Sequence, residues 1–456
     1  MSLLNILKAS PDAKILVPKD KIKSVFHLRQ AGVMVATCVG YIGYYILRLI
    51  FTTQQTDIMN EYGLSKGDIG MVLACFGIGY GISKAFMGLI ADKSNPRYYI
   101  ALGLILSAIA NVGLGSTSNI AVMMVLMTLM STAQSMGAPA CQKLILFWWS
   151  RKYKGTAFSV WASAHNFGAF FCVATISMAG ALVPGWGLPG TFYMGSIVSV
   201  IIAVFIVIIG ADRPSSVGLP PVAELFHEYQ VLTNGEVVTD DTTTLKLSEI
   251  FVKYVLKNKM VWAICLASMS LYIVRYGILS WIPSYLVEAN GFEKGWAKWF
   301  VGLFELCAVP GVILLGLFSD KIAAARRVPA CIAAVIGLVI CLIGYFFSQD
   351  HTVIIVSLLI MGNCIYAPLA LIGLMVNEAA PKFAVGATSG FMGFFQYVFG
   401  EIAATALIGK LVDSFGWSAN MIVIGCALCL TLSLLGYLFV IENRVRAKEA
   451  QLEGTR

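Results

Sequence analysis

Runs of about 20 mostly apolar residues, the length an α-helix needs to cross a hydrocarbon core, recur about a dozen times along this 456-residue chain with only short polar turns between them. With 58% hydrophobic and 12% charged residues and a mean hydropathy of +0.81, the chain has too little polar surface for a soluble globule of this size. The expected fold is therefore all-α and embedded in a lipid bilayer, with twelve transmembrane helices at 31–57, 68–91, 98–115, 119–148, 156–183, 189–210, 258–289, 297–319, 328–347, 352–377, 384–413 and 418–441. These spans divide the chain into an N-terminal segment (1–30), a six-helix bundle (31–210), a connector (211–257), a second six-helix bundle (258–441) and a tail (442–456).

Lys and Arg sort by side. They cluster at Lys19, Lys21, Lys23 and Arg29, at Lys93 and Arg97, at Arg151, Lys152 and Lys154, and again at Lys321, Arg326, Arg327, Lys382, Arg444, Arg446 and Lys448. The positive-inside rule puts both termini and the connector in the cytoplasm. The first 30 residues carry scattered charges and no uninterrupted apolar core before a small-residue cleavage site, so no cleavable signal is read. The net charge of +8 thus has a topological cause, and the acids mixed through the connector argue against nucleic acid as a partner. The 11 cysteines fall within apolar runs without paired ligand spacing, so neither a disulfide framework nor a metal site is signalled. No cofactor is expected, and the absence of a G-x-x-x-x-G-K-[ST] loop argues against an ATP-driven pump.

The chain also repeats itself. Gly88-Leu-Ile-Ala-Asp92-Lys93 returns as Gly316-Leu-Phe-Ser-Asp320-Lys321, Tyr45-Ile-Leu-Arg48 as Tyr272-Ile-Val-Arg275, and Ala138-Pro139 as Ala367-Pro368, all in nearly the same register half a chain apart. Two six-span halves of the same orientation are parallel repeats about an axis along the membrane normal, the architecture of a rocker-switch transporter. The two G-x-x-x-D-K loops resemble the signature of the major facilitator superfamily. Alone, either loop reads equally well as ordinary charge at a span end; together they mark Gly88, Asp92, Arg97, Gly316, Asp320 and Arg326 as conformational-switch loops. A short amphipathic helix is expected near Leu245–Val255 of the connector.

Two arginines lie inside spans. Arg275 is central in its span; Arg48 is nearer the end, but no helix breaker follows until Gly63, so the helix is expected to run on. A cation at mid-bilayer costs roughly 2.5–3.5 kcal/mol on insertion scales and must face a cavity or a partner. Two guanidiniums converging from opposite halves offer planar, bidentate donors to a tetrahedral oxyanion such as a phosphate. The competing reading is a structural ion pair with Glu305 or Glu401. Lys84 and His165 add positive or hydrogen-bonding capacity, against snorkelling for the lysine and simple packing for the histidine. Tyr41, Tyr44, Tyr45, Tyr272 and Tyr276 flank the arginines at helical spacing, either presenting hydroxyls to oxygen atoms or packing at the interface belt. Glu305, Asn363, Gln396 and Glu401 supply acceptors and amides for a hydroxylated moiety or for gating, with Gln396 opposite His165 in the repeat alignment.

The segments YIGYYILR around Arg48, GYGISKAFMGLIADKSNPR around Lys84, KGTAFSVWASAHNFGA around His165, SSVGLPP after the sixth span and LYIVRYGILSWIPSYL around Arg275 together resemble the organophosphate:phosphate antiporters of that superfamily. The resemblance implies a bacterial inner-membrane transporter, not an enzyme, working as a monomer. It implies Arg48 and Arg275 as phosphate ligands, with Lys84, His165, Tyr45 and Tyr272 in support. The chain departs from the family pattern at Lys154-Gly155, Trp161-Ala162 and Gly168-Ala169. Leu49 and Ser280 stand where glycerol-3-phosphate members carry a Lys and an Asp, and Glu401 adds a carboxylate in the eleventh span. These departures favour a hexose 6-phosphate exchanged for inorganic phosphate. The alternatives are glycerol-3-phosphate exchange and a membrane sugar-phosphate sensor without transport.

Overall fold

The computed structural model of the chain describes residues 7–226, 228, 230–231, 237–238 and 245–454. The middle of the connector and the end of the tail thus lie outside the described residues. In a bilayer core, backbone polar groups must be satisfied within their own segment, which helices do. Among the described residues, eleven helices are long and apolar enough to cross a membrane.

The first half contains α1 (Ile22–Thr53), α2 (Lys66–Lys93), α3 (Pro96–Gly115), α4 (Ile120–Trp148), α5 (Lys154–Leu182) and α6 (Gly187–Ile209). The second half contains α7 (Lys259–Leu279), α8 (Lys294–Leu317), α9 (Arg327–Phe347), α10 (His351–Glu378), α11 (385–415) and α12 (Trp417–Gly454). The stretch α11 is α-helical only at its ends; between them Phe395–Glu401 and Ala403–Leu407 form wider π-type turns. The connector carries a two-residue antiparallel ladder, Gln230–Val231 with Val237–Val238, and a short helix, Leu247–Ile250, continued by a π turn over Phe251–Leu256. That helical piece occupies the expected amphipathic stretch.

Local chemistry sets several helix starts. Ser65 and Asp68 form a reciprocal capping box at α2, Asn95 precedes Pro96 at α3, and Asn119, Asn258 and Asp350 cap α4, α7 and α10 with their side-chain oxygens. The expected uninterrupted helix from Arg48 to Gly63 is corrected. Backbone at Gln54 leaves the helical region, and the chain resumes as a separate helix, Gln55–Tyr62, which Gly63 closes at φ 67°. The polar run Thr52-Thr53-Gln54-Gln55 offers side-chain partners that compete with helix hydrogen bonds.

The packing of the halves is the same twice over. Helix α2 packs on α4 as α8 does on α10, α1 on α5 and α6 as α7 does on α11 and α12, and α3 on α4 and α6 as α9 does on α10 and α12. The halves meet most extensively through a symmetric pair of contacts, α2 with α11 and α8 with α5, and a second pair, α4 with α11 and α10 with α5, adds to it.

Both repeated glycines sit in the first pair. A Cβ at Gly88 would lie 2.1 Å from the carbonyl oxygen of Gly386, and one at Gly316 2.4 Å from Ser159 Oγ. Only glycine lets these backbones approach so closely.

The neighbouring carboxylates complete a clasp at the end of the molecule that carries the basic loops. Asp92 accepts from the backbone N–H of Gly386 (2.6 Å) and Ala387 (2.8 Å) at the start of α11. Asp320 accepts from Gly155 N–H (3.1 Å), Thr156 N–H (2.6 Å) and Thr156 Oγ1 (2.7 Å) at the start of α5. A carboxylate at a helix N-terminus satisfies orphan donors and complements the helix dipole.

The two arginines assigned to the switch loops do not join this clasp. Arg97 donates to Gly210 O (3.1 Å) and Tyr98 Oη (2.8 Å) inside the first half, whereas Arg326 reaches Asn443 Oδ1 and the Phe439 ring inside the second. The bridging cation is Arg327, which pairs with Asp320 and Glu378 and donates to Arg151 O at 2.9 Å. It is also buried, so its fork spans the seam between halves. One residue along α9 separates it from Arg326, and sequence alone does not show which of the two faces inward.

Candidate functional site

Tyr45 and Arg48 are three residues apart on α1, as Tyr272 and Arg275 are on α7, so each pair shares a helix face. In both halves the guanidinium carbon sits 5.5 Å from the tyrosine ring centroid. This equality is the repeat expressed in side chains.

Around Arg48 the rings of Phe76 (4.9 Å), Tyr80 (4.9 Å) and Tyr397 (5.7 Å) complete an aromatic box. Phe76 and Tyr80 come from α2, one turn apart, and Tyr397 crosses from the π turn of α11. Around Arg275 stand Tyr366 (4.3 Å) and Tyr276 (5.0 Å). Cation–π contacts of this kind are worth about 0.5–2 kcal/mol, more where water is excluded.

The two cations differ in their counter-ions. Arg275 Nη2 lies 3.9 Å from Glu305 Oε1, and the Tyr366 hydroxyl donates to the same carboxylate. Arg48 forms no ion pair among the described residues. The structural-ion-pair alternative therefore applies to Arg275 alone, and even there at long range. Glu401 lies within electrostatic range of Tyr276 and of both arginines.

Lys84 is buried between α2 and α11, its Nζ 5.3 Å from the Tyr80 ring and 5.1 Å from the Tyr397 ring. A Cβ at Gly393 would fall 2.2 Å from Lys84 Cδ, so α11 closes over the lysine stem. This burial excludes the snorkelling reading.

His165 on α5 holds its Nδ1 against Ala162 O and stands between Tyr45 (5.4 Å) and Tyr366 (5.8 Å), one ring from each half. Its Nε2 is buried without a protein partner, as are both amide atoms of Asn166 and the Nε of Arg275. Buried polar atoms are nearly always paired, so this cluster keeps hydrogen-bonding capacity for something other than protein. Tyr80 and Tyr397 (4.8 Å between centroids) and Tyr272 and Tyr397 (5.7 Å) bind the two sides of the site together.

Arg48, Arg275, Lys84, His165, Tyr45, Tyr272, Tyr276, Glu305 and Glu401 thus come together between the halves. Three of the expected residues do not join them. Tyr44 is buried on the other side of α1, where its hydroxyl donates to Ile100 O at 2.8 Å and its ring fills the room left by Gly103 and Gly137. Asn363 accepts from Gly311 N–H at 2.8 Å, the residue after Pro310 inside α8, so its amide serves a proline-interrupted turn. Gln396 donates to Ser268 Oγ at 2.6 Å within the second half, and the residue across the halves from His165 is Tyr366 instead. Sequence reasoning missed Phe76, Tyr80, Tyr366 and Tyr397. Tyr80 stands one turn before Lys84, a signal that was legible; the other three depend on how helices meet.

Comparison with known proteins agrees with this architecture. The family model described as Major Facilitator Superfamily matches residues 33–405. A glycerol-3-phosphate transporter of Bacillus subtilis is 35% identical, covering 92% of this chain and 95% of its own. A hexose-6-phosphate:phosphate antiporter of Salmonella typhimurium is 32% identical, covering 91% of each. Among solved structures, a proton:xylose symporter of the superfamily superposes with a TM-score of 0.65 over 92% of this chain and 96% of that one at 12% identity, which speaks to fold alone. The helical spans and the bacterial relatives make this a multi-pass protein of a bacterial inner membrane. By sequence, by helix packing and by its paired intramembrane arginines, the chain belongs to the major facilitator superfamily and, within it, to the organophosphate:phosphate antiporter family.

Proposed function

We propose that the chain exchanges a small phosphate monoester for inorganic phosphate by alternating access, with Arg48 and Arg275 as the phosphate ligands. The observation that carries this reading is the pair of arginines at equivalent positions of the two halves, each 5.5 Å from its own tyrosine ring, facing one site. A phosphate that accepts from both forks draws the halves together, while two uncompensated guanidiniums oppose the empty return. Lys84 adds charge at one side of the anion. The buried Nε2 of His165 supplies a hydrogen bond from between the halves.

The basic end is the cytoplasmic one by the positive-inside rule. The clasp of Asp92 and Asp320 then makes this the arrangement closed to the cytoplasm. Release on that side requires both helix N-termini to give up their carboxylates.

For the organic substrate, glycerol-3-phosphate is the better supported reading, and hexose 6-phosphate the second. Of the three residues that favoured a hexose, Leu49 packs against the apolar core and Ser280 is the exposed end of α7, so neither faces the arginines. Glu401 alone lies within range of both arginines and is what favours the hexose. The 35% identity to a glycerol-3-phosphate transporter points the other way. Competition of the two esters against phosphate–phosphate exchange in proteoliposomes decides: stronger inhibition by glycerol-3-phosphate supports the first reading, and stronger inhibition by glucose-6-phosphate replaces it with the second.

A further inference from the structure

Outside the central site, one cavity stands apart in chemistry. Helices α8 and α9 both pack on α10 but scarcely on each other, leaving a lateral groove of about 650 Å³ between them. Its walls are Leu314 of α8, Phe318 of the turn that follows it and Ala334 of α9, and its floor is Asn363 and Ala367 of α10. Asn363 is committed to Gly311, so the interior is effectively apolar. Leu314 and Ile322 are 63% and 74% exposed along the groove, as expected of side chains that face lipid. The groove ends at the basic loop, where Lys321 lines its mouth, exposed and without an ion pair among the described residues.

An apolar slot that opens sideways in a membrane and ends on a lone cation is complementary to one class of molecule, an anionic phospholipid. The acyl chain replaces lipid-exposed apolar contacts, and the volume falls within the roughly 300–1,000 Å³ typical of ligand pockets. The lysine meets the headgroup phosphate at the level where juxtamembrane basic residues meet anionic lipid.

The position is pointed. Lys321 is the residue next to Asp320, and the π turn Phe318–Ile322 carries both, with Asp320 buried toward α5 and Lys321 turned outward. The chain then reverses through Ala324 (φ 51°) and Ala325 (φ 59°), a left-handed conformation that alanine adopts at a cost. We infer that the groove between α8, α9 and α10 is a binding site for a single anionic phospholipid, its acyl chain against Leu314, Phe318 and Ala334 and its phosphate on Lys321, directly behind the Asp320 clasp. This site is separate from the exchange site, and its occupant is a lipid, not the transported anion.

Native mass spectrometry of the purified full-length chain, with phosphatidylglycerol and phosphatidylcholine of identical acyl chains, tests it. The wild type is expected to retain one phosphatidylglycerol about fivefold more strongly than phosphatidylcholine. Lys321→Gln removes that preference, and Ala334→Phe, which fills the groove, removes retention of both lipids. Ala334→Leu takes its place if the larger residue prevents folding. Added inorganic phosphate at saturating concentration leaves retention unchanged, because it occupies the arginine site. Equal retention of the two lipids by the wild type, unchanged retention in either variant, or displacement by inorganic phosphate overturns the proposal.

Discussion

Each guanidinium of the central pair is held by tyrosine faces that fix its plane without using up its donors. A lysine at either place keeps the charge and loses the fork. A charge-assisted hydrogen bond is worth about 1.5–3 kcal/mol, so Arg48→Lys and Arg275→Lys are each expected to lower phosphate exchange by about 10- to 150-fold, read as initial rates in proteoliposomes at equal protein incorporation. Tyr366 separates ring from hydroxyl: Tyr366→Phe keeps the face over Arg275 and loses the hydroxyl with its bond to Glu305, so it is expected to retain more exchange than Tyr366→Ala. Equal loss in the two variants would assign the effect to the hydroxyl.

At this scale the sequence was informative about charge and poor about direction. Arg48, Arg275, Lys84 and His165 stood out because an intramembrane ionisable group needs a reason to be there. Tyr44 and Tyr45 sit at equally good helical spacing from Arg48, yet one turns to the site and the other to α3. The difference is made by Gly103 and Gly137, which open a slot for the Tyr44 ring only once α1, α3 and α4 are packed. The bare aromatic pattern likewise gave no sign that Tyr366 and Tyr397 cross to the opposite half.

Between elements, two glycine contacts and two capping carboxylates hold the halves together. A methyl at Gly88 meets backbone, not a flexible side chain, so Gly88→Ala must separate α2 from α11. Gly70, on the same helix, has nothing within 4 Å of its Cβ position, and Gly70→Ala serves as the control. In a cysteine-depleted background, alkylation of a thiol introduced at the fully buried Ala387 is expected to speed up about tenfold or more with Gly88→Ala and to stay unchanged with Gly70→Ala. Asp320→Asn leaves Arg327 buried with a weakened partner and is expected to open the other contact, raising the alkylation of a thiol at the fully buried Ser159, which faces Gly316, in the same assay. Both loops were legible as a repeated motif. That Arg327, and not Arg97 or Arg326, carries the bridging charge was not, because the choice depends on how α9 is rotated against α5.

For the molecule as a whole, two equivalent halves meet across two symmetric pairs of helix contacts, with the paired arginines between them. Hydropathy and repeat register foretold this much, since both are written along the chain; the interruption of α11 by π turns was not, and it is those turns that carry Tyr397 and Glu401 into the site. Obligate exchange means that the halves rock only around a bound phosphate. Its most direct test is uptake of labelled glycerol-3-phosphate into proteoliposomes containing only this protein, with or without internal phosphate. Uptake is expected into phosphate-loaded vesicles, and almost none into unloaded ones. Equal uptake in both would contradict obligate exchange, and binding without uptake in either would make the protein a sensor.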